Sequence, residues 1–133
     1  MDVTTYLSFN QNAEKAISKY TEVFGIKDIQ TMKYKDMPHY QGPDSMKDLI
    51  LHSEFMIGKT RLHASDTPSS MNYVAGTQTT LTVACDSYDD VTRFYDMLII
   101  GGTKIMAPGK SFFAQNYASL VDEFGIHWQF MYI

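Results

Sequence analysis

The stretch Leu51-His52-Ser53-Glu54-Phe55-Met56-Ile57-Gly58-Lys59-Thr60-Arg61-Leu62-His63-Ala64-Ser65-Asp66 decides the fold. Apolar and polar side chains alternate on both sides of Gly58-Lys59, a dipeptide suited to a tight turn, so the stretch predicts a β-hairpin. Pairing Ile57 with Thr60 across that turn sets Glu54 opposite His63, with His52 two residues further along the same face. Strands are expected over 49–57 and 60–66. Working outward, 3–9, 27–34, 77–84, 103–107, 115–122 and 126–132 have the same short length and the same Gly, Pro, Asp or Asn boundaries. Glu123-Phe124-Gly125 forms the turn between the last two.

Two segments carry the helical period instead. Ala13, Ala16, Ile17, Tyr20, Val23 and Phe24 recur every three or four residues, with Asn12 placed to cap the start and Gly25 to close the end. Val91, Phe94, Tyr95, Leu98 and Ile99 repeat the spacing, with Ser87 three residues ahead of Asp90 as a capping pair and Gly101-Gly102 after the end. The order is therefore strand, helix, three strands, twice over, an internal repeat of about 65 residues. We expect an α+β chain forming a single domain, with modules over about 1–66 and 77–133 joined by the polar linker 67–76.

The 133 residues suffice for one core without disulfide or metal staples. Eleven Lys+Arg against fifteen Asp+Glu, with no basic cluster, exclude a nucleic-acid footprint. No apolar run reaches membrane-spanning length, the N-terminus lacks the pattern of a signal peptide, and a lone cysteine, Cys85, fits a reducing cytoplasm. Nine Met, nine Tyr and eight Phe can fill a core or line a cavity.

Alternation divides each strand into an apolar set, expected beneath the helices, and a polar set with scattered Tyr, Met and His. The polar set is either a solvated sheet face or the lining of a cleft. Its densest point is His52, Glu54 and His63. Two imidazoles and a carboxylate there can hold a divalent metal or act as an acid–base pair. Alternatively, Glu54 and His63 form a cross-strand ion pair with His52 satisfied nearby. The chain has no glycine-rich phosphate loop, Cys-x-x-Cys pair, nucleophile elbow or His-Glu-x-x-His motif. Loops at 35–48 and 108–114 are candidate lids, the second carrying the adjacent pair Phe112-Phe113.

Tyr6-Leu7-Ser8-Phe9, the helix end Tyr20-Thr21-Glu22-Val23-Phe24-Gly25, Leu51 to Phe55, Ala64-Ser65-Asp66, Gly101-Gly102 and Val121-Asp122-Glu123-Phe124-Gly125-Ile126-His127-Trp128 resemble the PhnB-like branch of the glyoxalase/bleomycin-resistance/dioxygenase (vicinal oxygen chelate) superfamily. The resemblance covers essentially the whole chain. It implies paired βαβββ modules in a cupped, mostly antiparallel mixed sheet around a small-molecule cleft, and a homodimer. In metal-dependent members of the superfamily the ligands lie near the first, fourth, fifth and last strands. By strand register those positions fall near Thr4, His63, Gln78 and Gln129, of which only His63 is a strong ligand. A loop Trp common in the superfamily is replaced here by Phe113.

The reading is thus a metal-free small-molecule-binding protein, its cleft lined by Tyr6, His52, Glu54, His63, Gln78, Thr80, Phe113 and Gln129. It has no predicted cofactor and no nucleic-acid or membrane partner. The alternatives are a lyase, isomerase or dioxygenase with a divalent metal at His52, Glu54 and His63, and an antibiotic-sequestering protein. A methyltransferase finds no glycine-rich cofactor-binding βαβ unit in this sequence.

Overall fold

The computed structural model describes residues 1–133. It contains two compact units, Met1–Tyr73 and Val74–Ile133. The first holds β1 (Thr5–Phe9), α1 (Ala13–Phe24), β2 (Gln30–Lys33), β3 (Ile50–Ile57) and β4 (Thr60–Asp66). The second repeats the order with β5 (Leu81–Ala84), α2 (Tyr88–Leu98), β6 (Thr103–Gly109), β7 (Asn116–Val121) and β8 (His127–Tyr132). Each unit builds one four-stranded mixed sheet, ordered β1-β4-β3-β2 in the first and β5-β8-β7-β6 in the second. Only the β1–β4 and β5–β8 pairs are parallel. The chain is α+β, and no helix is long and apolar enough to cross a membrane.

In the first unit α1 buries Ala13, Ala16, Ile17, Tyr20 and Val23, the face that its periodicity marks out. Beneath it lie Leu7 and Phe9 of β1, Phe55 of β3, and Leu62 and Ala64 of β4, all buried. These residues share one side of the sheet, because Leu7 pairs with Ala64 and Phe55 with Leu62. The opposite side is thereby left to Tyr6, His52, Glu54 and His63. Gly25 closes α1 in the left-handed conformation, φ 67°, its N–H donating to the Thr21 carbonyl.

The start of α1 departs from expectation. Asn12 makes no side-chain cap, and its buried Oδ1 has no hydrogen-bond partner. Asp66, at the far end of β4, supplies the acceptor: Oδ1 takes the Ala13 N–H at 2.9 Å and Oδ2 the Ile50 N–H at 2.8 Å. A carboxylate beats a neutral amide here because it accepts from two orphan N–H groups at once and complements the positive end of the helix.

In the second unit α2 packs on β7 and β8 through Val91, Tyr95 and Leu98. Ser87 caps it, accepting the Asp90 N–H at 3.1 Å. The Arg93 guanidinium, 2.6 Å from Asp90, holds that carboxyl below its usual range, with help from the Ser87 hydroxyl. Trp128 stacks on Phe130 within the core. Its indole N–H donates to Asp122 Oδ2 at 2.9 Å, while Asp122 Oδ1 accepts the N–H groups of Phe124 and Ile126. The 123–125 turn is thus built on Asp122 as well as on Gly125.

Most strands are a residue or two shorter than expected, β1 starting at Thr5, and β2, β5 and β6 depart for identifiable reasons. β2 begins at Gln30 because Asp28 takes φ 52°, outside any strand geometry. β5 begins at Leu81, which pairs with Trp128, and β8 starts only one residue earlier at His127. Gln78 and Thr80 therefore precede the strand instead of lying in it. β6 runs on to Gly109 through two register shifts and carries Pro108, as an edge strand can. The 35–48 segment is not structureless: 3-10 turns occupy Tyr34–Asp36 and Asp44–Met46, and Met46 is buried.

Candidate functional site

The polar side of the first sheet is assembled by strand pairing. Tyr6 pairs with His63 across β1–β4, His63 with Glu54 across β4–β3, and Glu54 with Gln30 across β3–β2. Residues paired in this way share a face, so Tyr6, His63 and Glu54 form a row across three strands. His52, paired with Met32, stands one step along the same face. The Gly58-Lys59 turn sets this register as the sequence predicts, with Ile57 opposite Thr60.

The side chains close on one another. The Tyr6 ring lies nearly parallel to that of His63, with centroids 5.8 Å apart and 11° between planes. Its hydroxyl reaches past β4 to His52 Nδ1 on β3, at 3.2 Å. His52 Nε2 in turn faces His63 Nδ1 at 3.3 Å. Each neutral imidazole carries one N–H and one bare nitrogen, so the chain is directional. If Tyr6 donates, His52 must donate from Nε2, and His63 keeps its proton on Nε2. If His63 donates from Nδ1, His52 donates from Nδ1 to the phenol oxygen. A proton arriving at one end can be passed to the other by the same hydrogen bonds. The group is open to solvent: Tyr6 is 51% exposed, His52, Glu54 and His63 are half-buried, and Met32 and Met56 stand exposed on the same face.

The expected alternative, a Glu54–His63 ion pair, is not what forms. Glu54 Oε1 instead meets Arg61 Nε at 3.2 Å, and His63 turns to His52. Arg61 is permanently charged and stands two residues from His63 on the same strand face, so it is the stronger partner for a carboxylate. Arg61 and the Tyr6–His52 contact are the members of this group that the sequence reading did not identify. The cue for Arg61 was its position, two residues before His63. For the Tyr6–His52 contact there was no local cue, since the two residues lie two strands apart in the sheet.

The remaining candidates lie in the second unit. Thr82 and Gln129 pair across β5–β8, and the Thr82 hydroxyl donates to Gln129 Oε1 at 3.2 Å. Gln78 is exposed ahead of β5, and Thr80 adjoins the strand. Phe113, in the β6–β7 loop, sets its ring edge-on against Tyr117 at 5.2 Å, while Phe112 is fully exposed. Ser111 shapes that loop by accepting the N–H groups of Phe113 and Ala114. Thr4 is exposed before β1, and His39 and His127 lie outside the His52–His63 pair. The set Thr4, His63, Gln78 and Gln129 does not fit a divalent metal. It offers one imidazole, one neutral hydroxyl and two neutral amides, and the Gln129 oxygen is already engaged. Burial pushes the Cys85 thiol up to about 11, which disfavours the reactive thiolate.

Comparison with known proteins agrees with this architecture. A family model described as 3-demethylubiquinone-9 3-methyltransferase matches residues 1–131. Protein PA1353 from Pseudomonas aeruginosa is 28% identical, with TM-score 0.88, over 99% of this chain and 97% of its own. A PhnB protein from Bacillus cereus is 23% identical, with TM-score 0.82, over the whole of both chains. A glyoxalase/bleomycin resistance protein from Albidiferax ferrireducens shares the fold at TM-score 0.67 and 15% identity, over 100% of this chain and 98% of its own. The chain thus belongs to the family described as 3-demethylubiquinone-9 3-methyltransferase, and it shares its fold with the PhnB protein and the glyoxalase/bleomycin resistance protein.

Proposed function

We propose that the chain binds a small polar molecule on the open face of its first sheet, through direct contacts with Tyr6, His52, Glu54 and His63 and without a metal at the superfamily position. The observation that carries this reading is the hydrogen-bonded run from the Tyr6 hydroxyl through His52 to His63, at 3.2 and 3.3 Å. A solvated sheet face has no need to order three ring side chains from three strands. Here the rings present a stacked aromatic wall, a phenol and imidazole edges able to donate or accept, beside a carboxylate already neutralised by Arg61. Such a surface suits a planar ligand bearing both donors and acceptors, with Met32 and Met56 covering its apolar part. The reading includes self-association, since edge strand β6 leaves Ile105 and Met106 exposed. Sedimentation of the purified chain tests that part.

The family description names a methyl transfer. Nothing in the arrangement supports that chemistry: β1 leads into α1 through Asn10-Gln11-Asn12 and β5 into α2 through Cys85-Asp86-Ser87, neither of them a glycine-rich turn. The test of the ligand reading is native mass spectrometry of the chain after incubation with the small-molecule fraction of a cell extract. The wild type is expected to retain a discrete adduct that the Tyr6→Phe and His52→Gln variants lose. Equal retention by all three sinks the assignment.

A further inference from the structure

We propose that His52, His63 and Glu54 also form a site for a borderline divalent transition metal such as Zn2+ or Ni2+, contained within one βαβββ module. The inference goes beyond the organic-ligand reading and does not rest on it. The two occupants compete for the same nitrogens.

Three observations carry it. One donor atom from each of the three residues lies within 4.8 Å of the other two, before any side chain moves. His52 Nε2 and His63 Nδ1 stand 3.3 Å apart. Two nitrogens each about 2.05 Å from a tetrahedral zinc ion are separated by about 3.3 Å, so the imidazoles already span one edge of such a site. The third observation is the support behind His52. A ligating imidazole is held by a hydrogen bond from its second nitrogen, and here the Tyr6 hydroxyl oxygen sits 3.2 Å from His52 Nδ1 to accept it. The stacked Tyr6 ring fixes His63 from the side. Tyr6 is therefore a positioning residue for both donors.

The proton count closes without a co-reactant. Across the His52 Nε2–His63 Nδ1 contact one proton is shared as a hydrogen bond between the two imidazoles. On metal binding, the ring that carries it shifts it to its own outer nitrogen, which leaves both facing nitrogens bare. No proton leaves the neutral pair. The metal sits off the N···N line, which requires each ring to turn by roughly 35°. Glu54 keeps Oε1 on Arg61 and offers its other oxygen, supplying the negative charge that two imidazoles lack. The site differs from the two-module metal position of the superfamily, because two of its three donors come from β3, and it leaves coordination positions open to solvent.

The test is calorimetric titration of the untagged, chelator-treated full chain with zinc or nickel chloride. One equivalent is expected to bind to the wild type. His52→Gln and His63→Gln should each weaken binding by about tenfold or more, and Tyr6→Phe by about tenfold through loss of the support to His52. Absence of binding to the wild type overturns the proposal. So does unchanged binding by a folded His52→Gln/His63→Gln double variant, which places the metal elsewhere. Should these variants fail to fold, ring nitrogen resonances of the wild type carry the test. Zinc should move His52 Nε2 and His63 Nδ1 and leave His39 and His127 in place, and the reverse pattern overturns the proposal. Metal alone is the probe, so failure here leaves the organic-ligand reading standing, and loss of that reading leaves this one.

Discussion

Replacing Asp66 by Ala removes the group that ties three parts of the first unit together. Its carboxylate, 2% exposed, accepts the Ala13 N–H that opens α1 and the Ile50 N–H that opens β3. Its backbone carbonyl accepts the Tyr34 hydroxyl at 3.2 Å, a phenol that burial, with Asp66 next, pushes up and keeps as a donor. That last bond survives the substitution, because it uses the main chain. The other two do not, and each leaves an N–H with no acceptor. Hydrogen bonds to a charged group contribute about 1.5–3 kcal/mol apiece, so the variant should lose about 3–6 kcal/mol. For a chain of this length that corresponds to a fall in Tm on the order of 10–20 °C. Asp66→Asn should recover at most half the loss, because its amide presents N–H where the second acceptor is needed. The assay is urea unfolding followed by far-UV circular dichroism, read as a lower midpoint at unchanged slope. Fluorescence of Trp128, which belongs to the other unit, read in the same titration reports whether the units unfold together. A loss under about 1 kcal/mol, or a larger loss for Asn12→Ala than for Asp66→Ala, refutes the reasoning.

The capping logic makes opposite forecasts for two sequence-alike positions: Ser87→Ala should cost about 1 kcal/mol, and Asn12→Ala close to nothing, by the same denaturant assay. A Cβ on Gly102 would run into the Val121 carbonyl, whereas one on Gly25 meets open space and only the strain of φ 67°. Gly102→Ala should therefore destabilise several-fold more than Gly25→Ala, whose cost is about 1 kcal/mol, and equal midpoints would contradict the tight α2–β6 corner. With its thiol at about 11, Cys85 should be about a hundredfold less thiolate at pH 8 than an unperturbed cysteine, and alkylation should be slower by about tenfold, because the more basic thiolate is the better nucleophile. Its reactivity should keep rising about tenfold per pH unit up to about 11 before levelling off, and labelling as fast as that of a free cysteine at neutral pH in the folded chain would show that the thiol is not shielded.

What was legible in the sequence was whatever local geometry determines. A two-residue turn at Gly58-Lys59 admits one register, so the Glu54–His63 juxtaposition followed from counting. Helical spacing likewise identified Ala13 to Val23 as a buried stripe. What escaped was set by partners far away in the chain. The acceptor for Ala13 comes from Asp66, 53 residues on, and only a folded sheet brings the end of β4 under the first turn of α1. Gln78 looked like part of a strand by alternation, but a strand ends where its neighbour does, and β8 has nothing to offer beyond His127. In the candidate site the residue types were visible, while the pairing among them was not. Arg61 drew Glu54 away from His63, and the freed imidazole met His52, a contact that rests on side-chain competition.

The central claim is that the open face around Tyr6, His52 and His63 is where this chain meets its ligand. Side-chain NMR of the wild type, titrated with the small-molecule fraction of a cell extract under chelation, tests it most directly. The expected result is saturable movement of the Tyr6 ring and of the His52 and His63 ring nitrogens, with His39 and His127 unmoved. Saturable binding that perturbs other residues and leaves those three rings still would contradict it.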